Sequence, residues 1–541
     1  MKDISSTGSF VDFTLENFIY VDKTVYIPQL VKLKRVFISR PRRFGKSLTL
    51  DTIATLFETG VEPYFKGTWI YDKWTEPTYP VLRLNFLNFD KNTLEKFNNK
   101  LNSKITEFAE LNQVTTYKEK EEAEDSIDHL LEQLRLEGRQ IVILIDEYDC
   151  QMTANINNET LYKQFQEKIK SFYANIKDKF AIKFLGITGV TRLKDVSIFS
   201  VGSDINDITN ASAYSQMIGF TRDEIKKFYI DYLKLASSYE NNCSVDDVTD
   251  TQLESMLDMM AQNYDGYCFD EDYEKKVFST WSVNKFFQTM IEKKKVQFGE
   301  YWYDNGGLPS ILVNYLKTHE LNIFEYLDKD KFLKVSSDDF KNPTALTTIN
   351  QNVLMCQTGY LTLRSDLNKT STVALGIPNG EIYKALNRLL ANNIFKGNTD
   401  ITDDYGRSLL EVGTVDDIIN LFNSALNSVS YDNYPIVSES SVQNMLKLYL
   451  LGAHQEVLSE VHEAKGRADL VVNTDNRRIV FEFKYAKNEA EAKSKLSEAV
   501  EQIKTRDYGN ILPKKNELIR IAAVFNADPK VRAFTENQIV P

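Results

Sequence analysis

Apolar residues gather in short runs along the first 190 positions, with polar helical stretches between them. "RVFIS" (35–39), "PVLRLNF" (80–86), "QIVILIDEYD" (140–149) and "FAIKFLGITG" (180–189) read as strands. The third is a continuous apolar run of the kind that forms a buried parallel strand. "LTLDTIATLF" (48–57) spaces its apolar residues as a helix does, and 91–139 reads as amphipathic helices broken by the charge run "YKEKEEAED". Strands that alternate with helices predict an α/β domain with a parallel sheet.

The pattern changes near residue 220. Thr221 followed three positions later by Glu224 is a capping-box start. Helical spacing then dominates to about 330, interrupted by the polar stretch "SSYENNCSVDDVTD". Two strand-like runs, "GYLTLR" (359–364) and "STVALGI" (371–377), follow helices and suggest a winged-helix-like module. "SVSYDNYP" (428–435) reads as a linker. Beyond it come a helix (440–451), strands at 468–473 and 479–485 joined by the turn "NTDNR", a helix (488–505) and a last strand (518–525). The expected division is 1–220, 221–330, 331–433 and 434–541.

Composition narrows the class. The 541 residues are 42% hydrophobic and 26% charged, as in ordinary globular proteins. A net charge of -12 argues against a surface built for non-specific nucleic-acid binding, although 461–541 is mildly basic. The four cysteines are far apart and form no C-x-x-C pair, so neither a zinc site nor a disulfide framework is expected. A metal site should use carboxylates, which favours Mg²⁺ or Mn²⁺. No apolar run approaches ~20 residues, and the expectation is a soluble, cytoplasmic chain without a membrane span.

The first chemical feature is "SRPRRFGKS" (39–47). Gly45, Lys46 and Ser47 fill the end of a phosphate-loop pattern, but Arg40 stands where its first glycine belongs, a charged substitute expected near the phosphates. Alone, "GKS" is equally compatible with a basic surface turn. Asp146 and Glu147 change that balance. They end a buried strand, where ligands bind in parallel sheets. The aspartate can hold Mg²⁺ and the glutamate can position an attacking water. A glutamate after the aspartate marks additional-strand ATPases and argues against a small-molecule kinase. Thr188 can sense the terminal phosphate from the next strand. Arg192 is open to two readings, transition-state stabilisation or a surface ion pair.

The second feature is "EVHEAKGRADLVVNTDNRRIVFEFKYAK" (460–487). Glu482 and Lys484 lie two apart on one strand and share a face. If the turn pairs the strands, Asp469 and Glu482 converge on one cation, with Lys484 beside the nucleophile. Glu460 is expected to add a ligand from a preceding helix, and Gln502 to orient the site from the following one. An ordinary charged hairpin is the alternative. Burial favours the functional reading, since a carboxylate and a lysine inside a central strand need each other or a metal.

These stretches resemble the predicted AAA-ATPase-like proteins that carry a C-terminal PD-(D/E)XK nuclease domain. The resemblance rests on "YVDKT" (20–24), "SRPRRFGKS", "LIDEYD" (144–149), "ITGVTR" (187–192), "IFS" (198–200), "GFTRDE" (219–224), "YDGYCF" (264–269), "QTGYLTL" (357–363), "GRADLVV" (466–472) and "FEFK" (481–484), and covers nearly the whole chain. The same loop without its first glycine is usual in that family. One departure is local: Phe278-Ser279-Thr280-Trp281 stands where an asparagine-proline pair before the tryptophan is common.

The resemblance implies a multidomain α/β protein. It would have a P-loop, AAA-like parallel-sheet ATPase core, a helical and winged-helix-like middle, and a C-terminal α/β nuclease-like domain. Lys46, Ser47, Asp146 and Glu147 carry over as nucleotide-site residues, and Asp469, Glu482 and Lys484 as nuclease-site residues. Tyr20, Asp22 and Lys23 would place the N-terminal segment near the nucleotide. ATP and Mg²⁺ are the implied cofactors, with Mn²⁺ an alternative at the second site. DNA is the expected partner through the C-terminal domain, and a homo-oligomer stays open. The expected activity is an ATPase coupled to DNA cleavage, in defence or mobile-element biology. The alternative is an ATP-driven switch whose nuclease fold only binds.

Overall fold

The computed structural model describes all residues except 178, 194–204, 305–309, 317–318, 320–321, 344, 347, 368, 370, 396–405, 454, 464–465 and 510–516. The "IFS" motif therefore lies outside the described residues. The chain forms two compact units. One comprises Met1–His319 with Phe332–Ile382, the other Glu320–Lys331 with Tyr383–Pro541.

The first unit is built on five parallel strands: β1 (Arg35–Ser39), β2 (Val81–Asn85), β3 (Ile141–Asp146), β4 (Ile182–Gly189) and β5 (Asn206–Asp207). Their order is β2-β3-β4-β1-β5. β3 is buried at every position, which explains its unbroken apolar run. β4 lies between β1 and β3, so the loop strand and the acidic strand are not neighbours but flank a common third strand. This is the additional strand that the Asp146-Glu147 pair implied.

Helices follow. Thr221 and Glu224 form the expected capping box, with each side chain bonded to the other's backbone. The helices Ile230–Asn241, Asp250–Tyr264 and Thr280–Lys293 bury Leu233, Leu257, Phe286 and Phe287 in one cluster with Ile19 and Val21 of the N-terminal segment. A small antiparallel sheet then pairs β6 (Leu333–Ser336), β8 (Thr372–Gly376) and β7 (Thr362–Leu363) in that order. β7 and β8 are the two expected strands. β6 is additional, too short to stand out in the sequence.

The second unit carries a mixed sheet of order β13-β12-β11-β10-β9. Its strands are β9 (Glu456–Glu463), β10 (Gly466–Asn473), β11 (Arg477–Ala486), β12 (Glu517–Asn526) and β13 (Ala533–Ile539). β10 and β11 form the expected antiparallel hairpin, and β12 runs parallel to β11. Phe481 and Phe483 stack on each other and pack against Phe422 and Phe534. Val480, on the opposite face, joins Ala499 and Ile503 of the helix Glu489–Arg506. Among the described residues, no helix is long and apolar enough to cross a membrane.

Candidate functional site

The loop after β1 is shaped by two left-handed residues, Arg43 (φ 67°) and Gly45 (φ 103°). Gly45 caps the helix Lys46–Thr59, and a side chain at that φ would be strained. The backbone N–H of Arg40 still pairs with the carbonyl of Gly189 at 3.2 Å, so the strand ladder runs one residue beyond β1 before the chain turns. Phe44 anchors the middle of the loop edge-on against Tyr267, Phe269 and Trp302. From outside, Gly359 of "QTGYLTL" closes on Pro41. A Cβ there would meet the Pro41 ring at 2.9 Å.

Five expected residues meet at the strand ends. Ser47 Oγ donates to Asp146 Oδ2 at 2.6 Å. Thr188 Oγ1 donates to Asp146 Oδ1, the other oxygen of the same carboxylate. Lys46 is buried, and its Nζ donates to the carbonyls of Arg40 and Pro41 at 3.1 and 3.3 Å. The same ammonium lies 3.4 Å from Glu147 Oε1. Glu147 itself is held at φ 54°, an uncommon conformation for a glutamate that turns the chain directly after β3.

Lys46, Ser47 and Glu147 border a cavity of about 470 Å³. The N-terminal segment forms much of its apolar wall through Phe13, Ile19, Tyr20 and Ile27, with Met217 and Ile218 opposite. Tyr20 thus lies beside the loop helix, with its hydroxyl 3.4 Å from Thr52 Oγ1. Lys23 borders the cavity too but pairs with Glu224 at 2.6 Å. Asp22 is turned to local work, accepting from Thr24 and from the backbone N–H of Trp69.

Two expected residues stand apart: Arg40 corrects the sequence reading, and Arg192 takes the ion-pair alternative. Arg40 does not border this cavity. Its guanidinium is buried, donates to the carbonyls of Ser39 and Thr209, and lies 4.2 Å over the Phe269 ring. Burial lowers its pKa to about 9 against the opposing charge of Asp207. Arg192 pairs with Asp207, and its backbone is tied in both directions to the Gln357 side chain. Arg40 and Arg192 border a second, much smaller cavity with Cys268 and Cys356. The reason is topological: β5 and its following loop supply Asp207 and Thr209, which draw both arginines away from the larger cavity.

In the second unit, Glu439, Asp469 and Glu482 each bring a carboxylate oxygen within 4.8 Å of the others. Asp469 accepts from the backbone N–H of Phe483 at 2.8 Å. Lys484 Nζ donates to Glu482 at 2.7 Å and to Glu439 at 3.3 Å. Glu482 is fully buried, and among the described residues its Oε2 has no hydrogen-bond partner. Burial, then the charge of Asp469, raises its pKa to about 7. Burial also raises Asp469 and Glu439. An orphaned carboxylate oxygen inside a three-acid cluster fits a hard divalent cation.

Glu439 was not read from the sequence. It opens the helix Glu439–Gly452 after the cap Ser438, and an acid there looks like an ordinary complement to the helix dipole. Glu460 corrects the expectation of a helical ligand: it lies on β9, between the pairs Ala468–Val461 and Leu470–Ser459 and so across from Asp469. Its side chain lies outside the described residues. Gln502 donates to the Tyr508 hydroxyl at 3.3 Å, beside Arg506.

Comparison with known proteins agrees with this division. Residues 5–199 match the family model described as Predicted AAA-ATPase, and residues 437–535 match the PD-(D/E)XK nuclease superfamily. A curated relative is 26% identical over 533 residues, covering 95% of this chain and 94% of that protein. It is described as an uncharacterized protein in the vnfD 5' region of Azotobacter chroococcum mcd 1. Among solved structures, the Cdc6p of Pyrobaculum aerophilum is 11% identical, with a TM-score of 0.25 over 68% of this chain and 91% of that one. The ORC2 protein of Aeropyrum pernix is 10% identical, with a TM-score of 0.27 over the same shares. Scores that low add nothing to the fold read from the sheets. The chain thus carries a predicted AAA-ATPase region followed by a region of the PD-(D/E)XK nuclease superfamily, the architecture that its motifs resemble.

Proposed function

We propose that the protein binds and hydrolyses ATP at the loop between β1 and the helix Lys46–Thr59, and that this activity governs a Mg²⁺-dependent nuclease site in the second unit that acts on DNA in the cytoplasm. The observation that carries the reading is the meeting of Lys46 and Ser47 with Asp146 and Glu147. A basic surface turn would not bring a hydroxyl and an ammonium onto two acids 99 and 101 residues away in sequence, both at the end of a buried strand. Lys46 would bind phosphate, Ser47 and Asp146 would hold Mg²⁺, and Glu147 would orient the attacking water. Thr188 holds Asp146 from its far side. Arg40 and Arg192 have no role in this reading.

At the second site Asp469, Glu482 and Glu439 would hold the cation, Mg²⁺ or Mn²⁺. The cation, when bound, lowers the pKa of water and stabilises charge on a phosphodiester. Lys484 keeps a proton beside the acids and offsets part of their charge. A role in defence or mobile-element biology, and the four-part domain division, belong to the same proposal.

Incubating the protein with DNA, ATP and either metal tests it. Cleavage that needs Glu482 and responds to Lys46→Ala supports it. Absence of cleavage with every divalent metal leaves the second reading, an ATP-driven switch whose nuclease fold binds without cutting. One observation favours that alternative: Glu482 is fully buried and already neutralised by Lys484.

A further inference from the structure

Four cationic side chains border the large cavity beside the loop: Lys23, Arg42, Arg43 and Lys46. Three of them are engaged. Lys23 pairs with Glu224, and Lys46 with Glu147. Arg43 lies 4.3 Å over the Trp281 ring, and its Nη1 reaches the carbonyl of Tyr301 at 3.5 Å. Arg42 differs. Among the described residues it makes no hydrogen bond, ion pair or ring contact, although it is half-buried and sits within the loop itself.

A half-buried guanidinium beside a second arginine is electrostatically unfavourable. Arg43 registers this: burial lowers its pKa, and the charge of Arg42 lowers it further. An anion in the cavity would relieve both. The guanidinium fork also matches phosphate oxygens in pairs, which an ammonium cannot do. The charge balance indicates which phosphate. Glu147 already offsets Lys46, and Arg43 is held by the Trp281 ring and a carbonyl, so Arg42 is the loop cation that no contact among the described residues holds in place. The additional negative charge that separates a nucleoside triphosphate from a diphosphate lies on the terminal group.

We propose that Arg42 binds the terminal phosphate of the nucleoside triphosphate, giving the site its own arginine at that phosphate and its preference for triphosphate over diphosphate. The proposal rests on the reading of the loop as an ATP site.

The test is calorimetric titration of the full chain with ATP and with ADP, both in Mg²⁺, for wild type, Arg42→Ala and Arg42→Lys. Melting without nucleotide checks folding, and Arg42→Gln replaces the alanine variant if that one does not fold. The expected result is a loss of ATP affinity of tenfold or more, about 1.4 kcal/mol, with ADP changed less than threefold. Arg42→Lys should fall between, since it keeps the charge and loses the fork. Equal losses for ATP and ADP, or no loss for either, overturn the role of Arg42 and leave the ATP site standing. A wild type that binds neither nucleotide overturns both.

Discussion

The Arg40 guanidinium lies 4.2 Å over the Phe269 ring and donates to the carbonyl of Thr209. The residue in place of the missing loop glycine is thus a buried strut, joining β1 to the segment after β5 and to "YCF". The loop keeps its course through Arg40 and Phe44 packing from beneath, where other loops rely on glycine. Arg40→Ala should therefore act on stability first. Two carbonyls would lose their donor inside the protein, at a cost of about 2–4 kcal/mol. Chemical denaturation should show this loss. Any residual folded protein should keep its ratio of ATP to ADP affinity.

Lys46→Ala and Glu147→Gln separate binding from turnover. The alanine variant should lose ATP binding. The glutamine variant should bind ATP as wild type does, yet hydrolyse it at least about a hundredfold more slowly, because glutamine cannot take a proton from water. Equilibrium binding and steady-state turnover, measured on the same preparation, check both. Normal turnover by Glu147→Gln would show that another residue orients the water.

Glu482 should titrate near neutrality. Glu482 is raised by burial from its usual 4.5 to about 7. The folded state therefore binds more protons than the unfolded state between those values. Stability from this group is fully present below pH 4.5 and is lost as pH rises through about 7. Metal affinity runs the opposite way, since a cation competes with the proton. Mn²⁺ titrations without DNA should tighten from pH 5.5 to about 7 and then level off. Glu482→Gln should flatten that profile.

Glu439 should matter as much as the hairpin acids. Glu439→Gln removes one of three clustered carboxylates and is expected to weaken Mn²⁺ binding about tenfold while leaving the melting temperature nearly unchanged. Glu460→Gln, measured in parallel, shows whether the residue across from Asp469 is also a ligand. An unaltered Mn²⁺ affinity in Glu439→Gln would remove the helix from the site.

Buried strands with one-sided chemistry were legible in the sequence. β3 announces itself by six apolar or acidic positions in a row, and β11 by phenylalanines alternating with Glu482 and Lys484. The edge strands of the second unit's sheet were not. β9 ("EVLSEVHE") and β13 ("AFTENQI") carry polar residues at both parities, because one flank of each meets no further strand. Local pattern also cannot tell which way a side chain leaves a turn. Arg40, Arg42 and Arg43 look alike in "RPRR", yet one is under the loop and two border the cavity, of which one rests against Trp281. Glu439 escaped notice because its partners lie 30 and 43 residues away, beyond any motif window.

The contacts of Lys46 have a consequence for timing. Its ammonium rests on two loop carbonyls and on Glu147, so the residue that would greet phosphate also restrains the residue that would orient water. On the proposed reading the two act as an interlock. Phosphate arriving at Lys46 takes the place of the carboxylate, and Glu147 is released only when there is something to hydrolyse.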